Sequence, residues 1–445
     1  MKNITNKHIT ILGAVRSGIA AAKLAHKMHA IPFVSDYSNN LSSTINELDA
    51  LGIKYEIGGH SENVFDCDFI IISPGVPSNA KVIIEAINRD IQIISEIEFA
   101  SWFCEGTIIA ITGSNGKTTS TELCNHMLNY CGLKSYAAGN IGLAFSEIVL
   151  SVKDNEFVVL EVSSFQLDFI TEFKPKFAIL LNITPDHLDR YDNDFNKYVK
   201  SKLKINKNQN EEDYFIYNSD DKVLSEVRDL NGIQIPFSLE EINYGIYVSD
   251  NLFKYKNKEA LESICSISIL QIKGEHNQYN AMSVIIIAKL LGLNNSKIES
   301  ALASFKGVEH RLELVRTING ISFINDSKAT NVDSVWFALR SFNNPIILIL
   351  GGKDKGNDYS KIEPIIAKHV KVIYAIGSSS DKIFNYFNTF TEVQKVSSLE
   401  EAVIKAYEIA ETGDIILLSP ACASFDMFKN YEHRGSVFKQ IVMNL

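Results

Sequence analysis

Short apolar runs recur along this chain, each ending in a glycine-rich or polar turn and followed by a stretch with helical spacing. In the first hundred residues, His8–Leu12, Ile31–Val34 and Phe69–Ile72 read as buried strands, and Ile19–Met28 reads as a helix between the first two. Strands alternating with helices predict a parallel sheet, and such sheets bind ligands beyond the carboxyl ends of their strands. The polar groups at those ends are Gly13-Ala14-Val15-Arg16-Ser17-Gly18, Ser35-Asp36 and Ser73-Pro74-Gly75.

The alternation returns twice. Thr107–Ile111, Phe157–Leu160, Phe177–Leu181 and Tyr214–Tyr217 are strand-like, with helical spacing over Thr119–Tyr130 and Tyr198–Ile205. Over 232–272 the texture changes to short β-like runs, and helical spacing resumes at Asn277–Leu290. From Val308 onward, Ile321–Ile324, Pro345–Leu350, Val372–Ile376 and Asp414–Leu418, with a helix over Ser398–Ala410, predict another open parallel sheet. The expected fold is α/β in three domains. These are a Rossmann-like domain over 1–103, a P-loop ATPase domain with added β structure over 104–307, and a second Rossmann-like domain over 308–445.

Composition narrows the functions available. The 445 residues carry 43 Lys and Arg against 53 Asp and Glu, a net charge of −10, which disfavours a nucleic-acid binder. The six cysteines (Cys67, Cys104, Cys124, Cys131, Cys265 and Cys422) are scattered without a CxxC pair, so buried thiols in a reducing compartment are expected. The apolar run at the N-terminus is too short for a secretory signal, and no stretch is long enough to span a bilayer. A cytoplasmic protein without membrane insertion is expected.

The strongest local signal is Gly113-Ser114-Asn115-Gly116-Lys117-Thr118-Thr119, between a strand and a helix. Glycines let backbone N–H groups close around phosphate oxygens, and the helix N-terminus adds positive partial charge. Lys117 is placed to reach the outer phosphates, and the Thr118 hydroxyl to ligate Mg²⁺. The loop is two residues shorter than G-x-x-x-x-G-K-[ST]. Glu161, ending the strand Phe157–Leu160, suits a hard cation, while His187 lies beyond a third strand. Lys202, within Tyr198-Val199-Lys200-Ser201-Lys202-Leu203-Lys204, reads from pattern alone as part of a solvated basic face. The first loop resembles a dinucleotide fingerprint, with Asp36 near the spacing of a ribose-binding acid. Val15 occupies the position where G-x-G-x-x-G needs its second glycine, which argues against a nicotinamide cofactor and an oxidoreductase.

Taken together, the motifs resemble the Mur ligase family of ATP-dependent amide-forming enzymes. The resemblance covers essentially the whole chain: TGSNGKTT (112–119), GNIG (139–142), LEVSSFQL (160–167), NITPDHLDRY (182–191), YVKSKLKI (198–205), GEHNQYNA (274–281), EHRLE (309–313) and NDSKATN (325–331). Within the family, LSPACASFDMFKNYEHRG (418–435) is similar to the D-glutamate-adding members. The resemblance implies ATP, two Mg²⁺ ions, UDP-N-acetylmuramoyl-L-alanine (UDP-MurNAc-L-Ala) and D-glutamate as ligands of a monomer. It implies Gly113, Ser114, Asn115, Gly116, Lys117, Thr118, Thr119, Asn280, Arg311 and Asp326 at the nucleotide, and Lys328 near the reacting phosphate. Thr118, Glu161, His187 and a carbamylated Lys202 become the expected metal ligands, with Lys200 and Lys204 at the surface. Arg16, Ser17, Asp36, Ser73, Gly75 and Asn140 are implied for the UDP-sugar, and Thr330, Lys355, Ser424 and Phe425 for the amino acid. A ligase adding another amino acid and a nucleotide-gated binding module are the alternatives.

Overall fold

The computed structural model describes residues 2–39, 42–140, 142–228, 230–258, 260–354 and 356–445, with the backbone alone at 42–44. The chain divides into two compact units, Met1–Ile269 with Gln278–Ser304, and Leu270–Asn277 with Phe305–Leu445.

The first unit holds two sheets. One comprises β1 (His8–Leu12), β2 (Ile31–Asp36), β3 (Lys54–Ile57), β4 (Phe69–Ile72) and β5 (Ile93–Ser95), in the order β3-β2-β1-β4-β5 and parallel throughout. Chain order reverses between β1 and β4, so the crevice beyond that pair is the favoured ligand position. The other contains β6 (Thr107–Thr112), β7 (Ser135–Gly139), β8 (Phe157–Glu161), β9 (Phe177–Leu180), β10 (Tyr214–Asn218), β11 (Ile233–Ser238), β12 (Gly245–Ser249), β13 (Leu252–Lys256) and β14 (Leu261–Ser266). Its order is β14-β13-β12-β11-β10-β9-β6-β8-β7, parallel except at the two hairpins β12/β13 and β13/β14. The β-like texture over 232–272 is thus an extension of the central sheet.

The second unit carries β15 (Glu313–Ile318), β16 (Ile321–Asn325), β17 (Ile346–Gly351), β18 (Val370–Ile376), β19 (Glu392–Lys395) and β20 (Ile415–Leu418), in the order β15-β16-β20-β17-β18-β19. The sequence predicts a purely parallel sheet here; β15 instead pairs antiparallel with β16. The strands that the apolar pattern omits (β3, β5, β7, β15 and β19) all lie at sheet edges. An edge strand faces solvent and needs no continuous apolar run, as KYEI in β3 and EVQK in β19 illustrate.

One apolar core runs through the first unit from Ile4 to Leu224, taking in residues of both sheets. Two carboxylates on the short helix Glu96–Ser101 join its segments. Fully buried Glu98 accepts from the backbone N–H groups of Thr171, Glu172 and Phe173, from the Thr171 hydroxyl and from Trp102 Nε1. Burial alone would raise its pKa, but these donors hold it below the ordinary carboxylate range. Glu96 Oε1 accepts from Ser146 N–H, while its Oε2 is enclosed without a hydrogen-bond partner, and burial pushes its pKa up.

Candidate active site

The phosphate loop forms because Gly113 and Gly116 supply backbone that other residues adopt at a cost. Gly116 has φ of 86°, and a Cβ there would lie 2.5 Å from Asn280 Oδ1. The helix Lys117–Tyr130 begins directly after it, two residues earlier than its apolar spacing predicts. Asn182, beyond β9, braces the loop by accepting from Asn115 N–H at 2.8 Å and donating to Asn115 O at 3.0 Å. The Ser114 hydroxyl donates to Thr184 O at 2.8 Å and lies 3.0 Å from the Tyr198 hydroxyl. Ser114, Thr118 and Thr119 are buried within this frame. Asn280 Oδ1 accepts from the Ser120 hydroxyl at 3.1 Å.

Lys117 Nζ donates to the carbonyls of Gly113 and Ser114, at 2.8 and 2.9 Å. Lys202 Nζ reaches the same Gly113 carbonyl at 2.8 Å from the helix Phe195–Leu203. Its residue is only 1% exposed, which overturns the solvated-face reading that pattern alone suggests. Helical spacing explains the difference: Tyr198, Ser201 and Lys202 face inward, whereas Lys200 is exposed and Lys204 pairs with Asp168 at 2.9 Å. Burial, reinforced by the charge of Lys117, pushes the Lys202 ammonium well below its ordinary pKa, against the pull of Asp186 and Glu161.

Beside this pair, buried Glu161 accepts from the Thr118 hydroxyl at 2.7 Å and from Asn140 Nδ2 at 3.0 Å. A hydroxyl and a carboxylate at a helix N-terminus are hard oxygen donors and fit Mg²⁺. His187 is exposed, in left-handed backbone (φ 52°), with its ring edge-on to Phe165 and 3.7 Å from Asp186. Arg190, absent from the sequence-derived set, stacks over Phe165 and donates to the carbonyls of Pro74 and Gly75 at 2.9 and 3.2 Å. Only its place in NITPDHLDRY pointed toward it.

A cleft of about 790 Å³ opens beyond the first sheet and brings together Arg16, Ser17, Asp36, Ser73, Gly75 and Asn140. Val15 is 66% exposed at its rim. Arg16 lies 3.5 Å from Asn140 O. His60 also lines this cleft and was not singled out in the sequence.

In the second unit, buried Asp326 accepts from Leu312 N–H at 3.2 Å and from the Ser419 hydroxyl at 2.8 Å. Burial, opposed by Arg311, pushes its carboxyl up to about 6. Arg311 Nε is enclosed without a hydrogen-bond partner among the described residues. Lys328 Nζ sits 5.4 Å from the centre of the Tyr431 ring. Ser424 is buried, Phe425 is 68% exposed, Thr330 is half-buried, and Lys355 lies outside the described residues. Fully buried Arg434, which sequence reasoning passed over, ties the loops together through Ser327 Oγ, Ser327 O and Cys422 O. Glu309, His310 and Glu313 converge as metal ligands could, but Lys439 Nζ already lies 2.7 and 2.6 Å from the two carboxylates.

Three family models match the chain: the MurD N-terminal domain over residues 9–82, the Mur ligase middle domain over 111–288, and the Mur ligase glutamate ligase domain over 310–422. A UDP-N-acetylmuramoylalanine–D-glutamate ligase of Chloroherpeton thalassium is 45% identical, over 100% of this chain and 99% of its own length. The ligase of the same name from Christiangramia forsetii is 44% identical over 99% of this chain and 100% of its own. Among solved structures, UDP-N-acetylmuramate-alanine ligase from Thermotoga maritima superposes with a TM-score of 0.62 at 21% identity, covering 98% of this chain and 99% of its own. The MurF ligase of Thermotoga maritima in complex with ADP gives 0.62 at 14% identity, covering 100% of both chains. At those identities the structures speak for the fold.

Proposed function

This chain belongs to the Mur ligase family, and from that premise we propose how its own residues divide the work of an ATP-dependent ligase. The enzyme joins D-glutamate to UDP-N-acetylmuramoyl-L-alanine in peptidoglycan precursor synthesis, using ATP and Mg²⁺. The similarity to D-glutamate ligases along the full chain carries this conclusion. Residues 1–103 are assigned to the UDP-sugar, 104–307 to ATP and 308–445 to the amino acid. The protein works as a cytoplasmic monomer.

A carboxylate is a poor electrophile, so the alanyl carboxylate first attacks the γ-phosphate of ATP, giving an acyl phosphate and ADP. The amine of D-glutamate then attacks the acyl carbon, and the tetrahedral intermediate expels phosphate. Gly113, Ser114, Asn115, Gly116 and Thr119 cradle the phosphates, and Lys117 stabilises charge growing on the transferred group. Asn280, Arg311 and Asp326 bind the nucleotide, and Lys328 serves the reacting phosphate. Thr118, Glu161, His187 and a carbamylated Lys202 would hold two Mg²⁺ ions, which would neutralise charge on the transferring phosphate. The buried Lys202, with its depressed pKa, supports that modification: a neutral amine can capture CO₂ and become an anionic oxygen donor. Arg16, Ser17, Asp36, Ser73, Gly75 and Asn140 hold the UDP-sugar, and Thr330, Lys355, Ser424 and Phe425 the amino acid.

Phosphate release with UDP-MurNAc-L-Ala and a panel of amino acids tests the reading. D-Glutamate should give the fastest turnover; a faster response to L-alanine with UDP-MurNAc, or to L-lysine with the dipeptide substrate, would assign the chain to another member of the family.

A further inference from the structure

In the cleft of the first sheet, one end is formed by the loop Gly13–Gly18 and the N-terminus of the helix Arg16–Lys27, a setting that suits a diphosphate. Strand order β3-β2-β1-β4-β5 puts β2 and β3 to one side of that loop. A nucleotide with its phosphates at the helix therefore extends its base over the carboxyl ends of β2 and β3. Those ends carry Asp36, Tyr37 and His60, all of which line the cleft. Asp36 accepts from Ala14 N–H at 2.6 Å and from Ser38 N–H at 2.7 Å, and so fastens the loop to β2 while lining the cleft.

The hydrogen bonds of His60 determine its tautomer. Its Nδ1 lies 2.6 Å from Ser35 Oγ, and Ser35 Oγ lies 2.8 Å from Glu56 Oε1. Glu56 also accepts from the N–H and hydroxyl of Ser61. Burial would raise its pKa, yet the Ser61 and Ser35 donors hold it below the ordinary range, so it is ionised. An ionised carboxylate can only accept, so the single hydroxyl proton of Ser35 goes to Glu56. The remaining contact then requires Nδ1–H of His60 to donate to Ser35 Oγ. Burial lowers the pKa of the imidazole despite the charges of Glu56 and Asp36, so the ring is neutral. Its Nε2 is consequently a bare acceptor, with no protein hydrogen-bond partner among the described residues. Tyr37, 78% exposed with its ring 6.2 Å from the imidazole, offers an aromatic face alongside.

We propose that His60 Nε2 accepts the N3–H of the uracil ring and so sets the preference of this cleft for uridine over cytidine nucleotides. This rests on the assignment of the cleft to the UDP-sugar. Uracil presents N–H at position 3 where cytosine presents a bare nitrogen, and two acceptors face to face leave both unpaired.

Long-range ¹H–¹⁵N spectra of the full-length enzyme should show Nδ1 as the protonated nitrogen of His60, and the Nε2 resonance should move when UDP is added. His60→Phe should weaken UDP binding at least tenfold and bring the UDP-to-CDP affinity ratio close to one. The KM for UDP-MurNAc-L-Ala should rise in parallel with the loss of UDP affinity. His60→Gln, which can offer an amide oxygen near the position of Nε2, should stay within about threefold of the parent protein. A proton on Nε2, or an unchanged UDP-to-CDP ratio in folded His60→Phe, overturns the proposal while leaving the ligase reading intact. A parent enzyme that neither binds UDP nor releases phosphate with UDP-MurNAc-L-Ala overturns both.

Discussion

The loop Gly113–Gly116 and the loop beginning at Gly13 both leave the carboxyl end of a parallel strand and enter a helix whose first residue is basic, Lys117 in one and Arg16 in the other. Their surroundings differ. Around the first, the groups suited to phosphate lie within seven consecutive residues, and the flanking lysines converge on the Gly113 carbonyl. The second is fixed from behind by Asp36, and its cleft is completed by His60, Ser73 and Asn140 from separate segments. Phosphate needs little more than backbone N–H groups and a cation, which one loop can supply. A sugar and a base present donors and acceptors in several directions, so a site for them, as proposed for this cleft, draws on several segments of the sheet.

The sharpest way to separate the two loops is Lys117→Ala. On the role proposed for Lys117, removing this cation should lower kcat about 10³-fold, the range seen when a transition-state donor is deleted. UDP affinity, measured by titration, should stay within about twofold, because the cleft of the first sheet shares none of its lining with Lys117. A parallel loss of UDP binding would mean the two loops act as one site.

This contrast also explains what the sequence made legible. Strands buried on both faces, such as Ile346–Gly351, appear as apolar runs because nothing polar is tolerated on either side. Edge strands such as Lys54–Ile57 do not, and with β3 went the clue that the residues after it border a cleft. The phosphate loop was legible because the groups suited to phosphate are local. Lys202 could be rescued only by its resemblance to a family motif, since a lysine among lysines gives no sign of which one is buried. His60 had neither advantage. Its role depends on Ser35, 25 residues away, which links it to Glu56 through hydrogen bonds that no spacing rule encodes.

A second test asks how both loops are kept within one folded unit. Glu98→Gln places an amide NH₂ where backbone N–H groups converge on both carboxylate oxygens, so it should cost about 2–3 kcal/mol at pH 7. The folded-state pKa of Glu98 is depressed, so its contribution is present above the unfolded value and fades as pH falls through the folded one. Denaturant titrations of parent and variant should therefore converge on acidification below about pH 4. Glu96→Gln, two residues earlier, should change stability at pH 7 by less than about 1 kcal/mol. Its pKa is raised, so the parent carboxyl tends toward the neutral form that glutamine imitates. Equal losses in the two variants would contradict the assignment of Glu98 as the principal tie.

The smallest effect should come from Arg16→Ala, the counterpart of Lys117→Ala in the other loop. Arg16 lies at the helix N-terminus facing the cleft and within 3.5 Å of the Asn140 carbonyl, next to the Asn140 side chain that donates to Glu161. The helix N-terminus and the Gly13–Gly18 backbone remain in the variant, so only part of the diphosphate binding is removed. The KM for UDP-MurNAc-L-Ala should rise about tenfold, equivalent to about 1.4 kcal/mol. The KM for ATP and the kcat should move by less than a factor of about three, which marks binding expressed equally in the ground and transition states. A fall in kcat comparable to that of Lys117→Ala would carry a different message. The chain of contacts from Arg16 through Asn140 to Glu161 would then couple the cleft to the phosphate site, and the two loops would be separate in sequence while acting as one in turnover.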